Sequence, residues 1–152
     1  MRYSGLTTKE AKRLRAGGGD AFGNSAERAI SSGVGTPCRH CLKIVPKGDP
    51  FLIASHKPFE STQPYSEIGP IFLCANPCMA PSGVDAEVLT ASPQYLLKAY
   101  SSDERIIYGT GAVTPAQDLE DYAMTLFERD DVAFVDVRSA VNNCWLARIT
   151  GS

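Results

Sequence analysis

The stretch TPAQDLEDYAMTLFERDDVAFVDVRSAVNNCWLARIT, residues 114–150, decides the fold. In its first third an apolar residue recurs every three or four positions, which gives a helix one apolar stripe. The stripe consists of Leu119, Tyr122, Ala123, Leu126 and Phe127. Thr114 is a candidate N-cap and Pro115 suits the first helical position. The sequence therefore predicts a helix that begins at Thr114 and ends at residues 129–131.

Two apolar runs complete this stretch, at residues 132–138 and 144–150. Asn142 and Asn143 lie between the runs and suit a tight turn, so the runs predict a β-hairpin. A strand, a helix and two more strands in an otherwise β-rich chain predict an α+β fold. We expect a largely antiparallel sheet packed by one main helix.

Further strands are predicted upstream. Short apolar runs bounded by glycine, proline or charged residues indicate strands at residues 50–56 and 69–74. Residues 95–100 are apolar and suit either a strand or a helical turn that leads into one. Residues 105–114 indicate a strand with a glycine bulge.

The N-terminal part of the chain has a different composition. Residues 7–15 suit a short helix opened by a threonine cap. Residues 20–36 are small and polar with several glycines, and we expect an irregular segment with at most one helical turn at residues 25–30. The whole chain is then one domain, in which residues 1–36 are loosely ordered and residues 37–152 form a β-rich core.

The charge balance excludes two classes of protein. The 152 residues include 15 Lys and Arg against 17 Asp and Glu, a formal charge of −2. A protein that binds nucleic acid or a membrane surface through its charge needs a positive surplus. No run of about 18 apolar residues predicts a membrane span, and the N-terminus lacks the apolar segment of a secretory signal. We therefore expect a cytoplasmic protein with no nucleic-acid or membrane partner.

Four of the five cysteines form two close pairs, Cys38 with Cys41 and Cys74 with Cys78. Disulfides are rare in the reducing cytosol, and two short cysteine loops can supply the four sulfurs of a tetrahedral zinc site. The spacing departs from the usual template, because the second loop has three intervening residues and 32 residues separate the pairs. The sequence thus indicates a possible structural zinc site.

Other interpretations of the cysteines stay open. Cysteine is among the most buried residue types, so the four can simply be core thiols. A redox pair of the thioredoxin type needs a helix at the motif, and Pro46 argues against one. Cys144 stands alone, and a core thiol is a simpler interpretation of it than a nucleophile.

A second candidate site lies in two loops. The first loop offers an aromatic ring and a carboxylate, and the hairpin offers a charged pair at i and i+2 followed by two amides. The candidate ligand-binding residues are Tyr65, Glu67, Asp136, Arg138, Asn142 and Asn143. The simpler alternative is that Tyr65 covers the edge of the core, Glu67 caps a turn, and the charged pair lies at the surface.

Several strings in this chain belong to a recognisable pattern. They are PCRHCL (37–42), QPYSEIGPIFLCA (63–75), RIIYGTG (105–111), VRSA (137–140) and NNC (142–144), with LRAG (14–17) and ERA (27–29) further upstream. In these strings the chain resembles the bacterial domain-of-unknown-function family numbered 1203. The resemblance implies a small soluble bacterial protein with no assigned activity, and it assigns no catalytic residue.

Two functions from different classes remain open at this stage. The first is a binding or structural module whose cysteine pairs hold a zinc ion. The second is a small enzyme or ligand-binding protein with a pocket at the six loop residues named above. The first predicts that the four paired cysteines converge, whereas the second predicts that the loop residues converge on a cavity.

Overall fold

The structure is a computed structural model that describes all 152 residues. Its elements in chain order are β1 (Arg2–Ser4), α1 (Thr8–Arg15), β2 (Glu27–Ile30), β3 (Pro50–His56), β4 (Gly69–Cys74), a 3-10 helix (Glu87–Thr90), β5 (Gln94–Tyr100), β6 (Ala112–Pro115), a second 3-10 helix (Ala116–Asp118), α2 (Leu119–Phe127), β7 (Phe134–Ser139) and β8 (Trp145–Thr150). The predicted α+β class is confirmed. Neither α-helix has the length and the apolar run that crossing a membrane requires.

The strands divide between two antiparallel sheets. The larger sheet has the order β1-β8-β7-β5-β6, and the smaller sheet has the order β2-β3-β4. The predicted hairpin is β7 and β8, and Asn143 in its turn has a positive φ of 59°. Helix α2 packs its buried Leu119, Ala123 and Leu126 on one face of the larger sheet, while Tyr122 and Phe127 lie at the margin of that core.

The start of α2 differs from the prediction. Thr114 and Pro115 belong to strand β6, where they pair with Tyr95 and Gln94 of β5. Strand β6 lies at the edge of the larger sheet, a position in which the missing N–H of a proline costs no ladder hydrogen bond. The helix therefore begins only at Leu119, after the 3-10 helix.

The predicted strand at residues 105–114 is also wrong over most of its length. Only Ala112 onward belongs to a strand. Before it, Ile106 makes one isolated antiparallel bridge to Tyr100, and Gly109 has a φ of 88° in the loop that follows. The buried Thr110 replaces part of the missing ladder, because its hydroxyl accepts the N–H of Ala99 in β5 at 3.1 Å. The Thr110 hydroxyl thus accepts a backbone N–H of β5 that a carbonyl of a paired strand would otherwise accept.

The smaller sheet packs against α1. Thr7 caps that helix as predicted, since its hydroxyl accepts the N–H of Glu10. The predicted helical turn at residues 25–30 is wrong, because Glu27–Ile30 is strand β2 and pairs with β3. Strand β2 carries no apolar alternation and forms through backbone hydrogen bonds to a neighbour distant in the sequence.

The connection between β3 and β4, residues 57–68, lies over the second face of the larger sheet. Arg148 of β8 donates to the carbonyl of Pro58 at 2.6 Å, and the Phe59 ring lies 5.5 Å from the ring of Tyr100 in β5. This connection encloses side chains of the larger sheet that an uncovered face would leave in water.

Candidate metal centre and adjoining cavity

The four paired cysteines converge on one point. Their sulfur atoms all lie within 4.8 Å of one another, and the sulfurs of Cys38 and Cys78 are 3.9 Å apart. Zn–S bonds of 2.3 Å in a tetrahedron require ligand sulfurs about 3.8 Å apart. All five cysteines of the chain are free thiols, so the arrangement has the donor set and nearly the spacing of a four-thiolate metal site.

A tight turn positions the first pair. The amides of His40 and Cys41 point at the sulfur of Cys38 at 3.4 and 3.5 Å, and the amide of Cys74 reaches the same sulfur at 3.2 Å. Leu42 takes the left-handed φ of 57° that turns the chain back, so that its N–H bonds the Cys38 carbonyl. Three backbone donors therefore favour negative charge on the Cys38 sulfur.

The long gap between the pairs has a structural explanation. The hairpin of β3 and β4 occupies it, and Cys74 is the last residue of β4. Arg39 donates its amide to the carbonyl of Phe72, which holds the first cysteine loop beside the end of β4. Cys78 then reaches the cluster after a bend at residues 75–76.

Polar side chains surround the Cys78 sulfur. Arg15 donates to it from Nη2 at 3.0 Å, and Nδ1 of His40 lies 3.0 Å from it. The other ring nitrogen of His40 lies 2.9 Å from the hydroxyl of Thr8. A neutral imidazole has one donor and one acceptor nitrogen, so His40 can donate to the sulfur and accept from Thr8. Residue pairs of this kind orient and stabilise metal ligands.

The thiol pKa values show how charge is distributed in the cluster. Hydrogen bonds from the Cys41 and Cys74 thiols hold the pKa of Cys38 far below its ordinary value. The bond to Cys38 raises the pKa of Cys41 to about 12 and also raises that of Cys74, and burial raises the pKa of Cys78. Without a cation, a thiolate at Cys38 therefore opposes ionisation of Cys41 and Cys74, and burial opposes ionisation of Cys78. A divalent ion would allow all four to ionise.

The fifth cysteine lies outside this cluster. Cys144 precedes β8 and lines a separate cavity of 220 Å³, which none of the four clustered cysteines lines. Arg39 connects the two places, because its Nε donates to the carbonyl of Trp145, which also lines the cavity. No histidine hydrogen bonds to the Cys144 thiol, whose one partner is the carbonyl of Asn142 at 3.7 Å.

Four of the six predicted ligand residues line this cavity. They are Glu67, Arg138, Asn142 and Asn143. Arg138 is buried, and its Nη1 contacts a carboxylate oxygen of Glu67 at 3.0 Å and the carbonyl of Asn143 at 3.1 Å. The structure therefore brings the two predicted loops together at one place.

The other two predicted residues lie elsewhere. Tyr65 packs edge-on against Tyr108, with Arg105 over its ring, and it does not line the cavity. Asp136 is fully buried and does not pair with Arg138. Both of its carboxylate oxygens accept instead from Arg148, at 2.7 and 3.0 Å. Burial raises the pKa of Asp136, and the Arg148 guanidinium opposes that shift.

Sequence reasoning missed several residues around the cysteine cluster and around the buried Asp136. Arg15 and Thr8 lie in a helix that precedes the first cysteine by more than 20 positions, so no spacing rule connects them with the cluster. Lys98 and Arg148 share a sheet face with Asp136, because the register places both directly opposite it. The sequence did contain one indication of this shared face. The charged residues of β7 and β8, which are Asp136, Arg138 and Arg148, stand at alternating positions of their strands.

The fold and site define a class, an α+β protein with two antiparallel sheets and a four-cysteine cluster that can hold a metal ion. The chain belongs to the family described as protein of unknown function (DUF1203), whose model matches residues 35–151. All four clustered cysteines lie inside the match, whereas the strings at residues 14–17 and 27–29 lie outside it. Searches of curated proteins and of solved structures found no match to this chain.

Proposed function

We propose that the protein is a binding or structural module in which one Zn²⁺ is held by Cys38, Cys41, Cys74 and Cys78. The convergence of four sulfurs within 4.8 Å carries this proposal. Four thiolates complete the tetrahedron of zinc and leave no open position for a substrate, which is typical of a structural site and not of a catalytic one. The ion would therefore stabilise the fold.

The surroundings favour a fully ionised cluster. Four thiolates around Zn²⁺ carry a net charge of −2, and three amides with one guanidinium donate to two of the sulfurs. Charge-assisted hydrogen bonds of this kind are stronger than neutral ones. Thiol-only tetrahedral sites suit zinc or iron, and elemental analysis distinguishes the two.

The location of the cluster explains why a metal would be useful there. The smaller sheet has three strands, and the cluster lies among the residues that pack it against α1. Small sheets with a limited core commonly depend on a metal or disulfide for stability. The zinc would link the end of β4 to the turn that follows β2.

Elemental analysis of the purified protein tests the proposal. We expect one zinc per chain, and a loss of it in the variants Cys74→Ser and Cys78→Ser. Cys144→Ser is the matched control, because it also removes a half-buried thiol but lies outside the cluster. It should retain the full metal content.

Removal of the metal gives a second readout. A strong chelator should lower the melting temperature of the wild type and of Cys144→Ser, because binding energy contributes to folding stability. Protein that gains no stability from added zinc, or binds it equally well after Cys74→Ser, would overturn the proposal. One iron per chain would contradict the choice of metal.

A further inference from the structure

A cleft of 370 Å³ is lined by residues of both sheets. Its wall includes β4 of the smaller sheet, and the start of β5 and the turn between β7 and β8 of the larger sheet. Most of the wall is apolar, and Phe72, Val88 and Leu146 contribute to it. The cleft is distinct from the cavity of 220 Å³, although Asn142 and Cys144 line both. A mostly apolar cleft with a few polar groups is typical of a small-molecule site.

Two exposed valines extend this apolar wall to the surface. Val34 is 81% exposed and Val141 is 85% exposed, and both line the cleft. Apolar side chains at the mouth of an apolar cleft offer a contact surface for the hydrocarbon part of a ligand. The volume is at the small end of the usual range for ligand sites, about 300–1,000 Å³, so the cleft suits a molecule of a few carbons.

Arg39 is the one charged residue in this wall. It is 4% exposed, and its guanidinium carbon lies 5.7 Å from the centre of the Phe72 ring in the same wall. Its Nε donates to the carbonyl of Trp145 at 2.8 Å, and its Nη1 donates to the carbonyl of Pro37 at 2.9 Å. Nη2 donates to no group of the chain and is not fully enclosed by it. This nitrogen is therefore the donor that a molecule in the cleft can reach.

The charge of Arg39 has no carboxylate partner in the chain. All five ion pairs of the protein involve other residues. The pKa of Arg39 falls to about 10, mainly because of burial, and the thiols of Cys144 and Cys38 oppose this fall only in part. Arg39 is thus a cation at neutral pH, and a buried cation costs free energy unless an anion pairs with it. An anion in the cleft would supply the missing partner.

We propose that this cleft binds a small monocarboxylate with an apolar body, whose carboxylate accepts from Nη2 of Arg39 while its hydrocarbon part contacts Phe72 and Leu146. The single cation determines the charge of the ligand, because a phosphate group would bring a second negative charge that no other cation in the cleft can pair. The apolar wall determines the rest of the ligand, since a small polar anion would gain nothing from it. The proposal does not depend on whether the cysteine cluster holds a metal.

Three probes separate the charge of the ligand from its hydrocarbon part. Hexanoate has both, acetate has the carboxylate without the chain, and hexanol has the chain without the charge. In ¹H–¹⁵N spectra at constant ionic strength, we expect hexanoate to shift the amides of Val34 and Val141 and the Nε–H of Arg39 saturably. Its affinity should exceed those of acetate and hexanol by about tenfold or more. No saturable shift with hexanoate overturns the proposal, and so does an affinity equal to that of either other probe.

Two variants test the contact with the carboxylate. Arg39→Gln removes the cation, and hexanoate should then bind no more tightly than hexanol. Val141→Glu places a negative charge at the mouth of the cleft and should weaken the binding of hexanoate more than that of hexanol. Val113→Glu is the matched control, because Val113 is also an exposed valine but does not line the cleft. It should bind both probes like the wild type.

The variants decide the proposal even if one of them is unstable. Circular dichroism first shows whether Arg39→Gln is folded, since Arg39 also bonds the carbonyls of Trp145 and Pro37. If it is folded and prefers hexanoate over hexanol as strongly as the wild type does, the proposal is wrong. If it does not fold, Val141→Glu decides, and an unchanged preference for hexanoate in that variant overturns the proposal.

Discussion

Arg15, the last residue of α1, donates to the sulfur of Cys78 at 3.0 Å. The same guanidinium donates from Nε to the carbonyl of Cys74 at 2.9 Å. A helix from the first 20 residues therefore contacts both cysteines of the second pair. Arg15 precedes the residues matched by the family model, so the support of the cluster extends beyond the matched part of the chain.

The first prediction concerns this contact. Arg15→Ala should weaken zinc binding about 10- to 100-fold, which is the usual effect of removing a group that supports a metal ligand. Competition with a chromophoric chelator measures the affinity. Lys12→Ala is the matched control, because it removes the same charge from an exposed position of the same helix. Equal affinities for the two variants would show that the Arg15 contact does not support the metal.

The second prediction concerns the apolar stripe of α2. Leu126 is buried against the larger sheet, and Leu126→Ala should lower the free energy of unfolding by about 2–5 kcal/mol. Met124 lies exposed on the same helix, so Met124→Ala should change the free energy of unfolding by less than about 0.5 kcal/mol. Denaturant titrations measure both. A similar small change in the two variants would mean that the helix does not pack through this stripe.

The third prediction concerns stability at acid pH. The Asp20 carboxylate accepts the amides of Ser55, Phe22 and Asn24, and the bond from Ser55 is the main reason that its pKa falls to about 2. A carboxyl group whose folded pKa is lowered stabilises the fold above its unfolded pKa, near 4. This contribution should disappear as the pH falls from about 4 to about 2.

Unfolding measured against pH for the wild type and for Asp20→Asn tests this window. The stability difference between them should be constant above pH 4 and shrink below it. Both proteins have the same cysteine cluster, so its protonation cancels in the difference. Asp130→Asn is the control, because the exposed Asp130 side chain accepts no hydrogen bond. A pH-independent difference for Asp20→Asn would contradict the assignment.

Much of this fold follows from local patterns in the sequence, and the errors have a common cause. The stripe of α2, the hairpin and the two cysteine loops involve residues close in sequence, so spacing alone predicts them. Thr114 and Pro115 suit a helix start, but pairing with β5 places them in a strand. Strand β2 has no apolar pattern and depends on its partner. Long-range pairing overrides local preference in both cases.

In the candidate sites, too, the sequence predicts contacts between residues close in the chain but not those between distant segments. The close pairs predict that cysteines approach each other within each loop, and only the β3–β4 hairpin brings the two loops together. The surroundings of Arg138 could not be predicted, because the segment that buries it lies about 70 residues earlier in the chain. The charged alternation in β7 suits an exposed strand face until another part of the chain covers that face.

The fourth prediction concerns the N-terminal segment, which we still expect to be looser than the core. Residues 16–26 contain no helix or strand, and Glu27–Ile30 lies at the edge of the smaller sheet. Few apolar groups are buried there to offset the entropy of ordering. Amide exchange should be fast over residues 16–36, except at the amides that bond β3 or the Asp20 carboxylate. Uniform protection across the segment would contradict this expectation.

The last prediction uses two arginine–aspartate pairs with the same contact and different burial. Arg148 bonds both oxygens of Asp136 at 2.7 and 3.0 Å, and Arg129 bonds both oxygens of Asp131 at 2.9 and 2.8 Å. The side chains of the first pair are 21% and 0% exposed, and those of the second are 47% and 54% exposed. Asp136→Ala leaves a partly buried guanidinium unpaired, which should cost about 3–5 kcal/mol. Asp131→Ala leaves its partner in water and should cost about 0–1 kcal/mol. Denaturant titrations of both variants measure the two losses, and equal losses would show that hydrogen-bond geometry, and not burial, determines what each pair contributes.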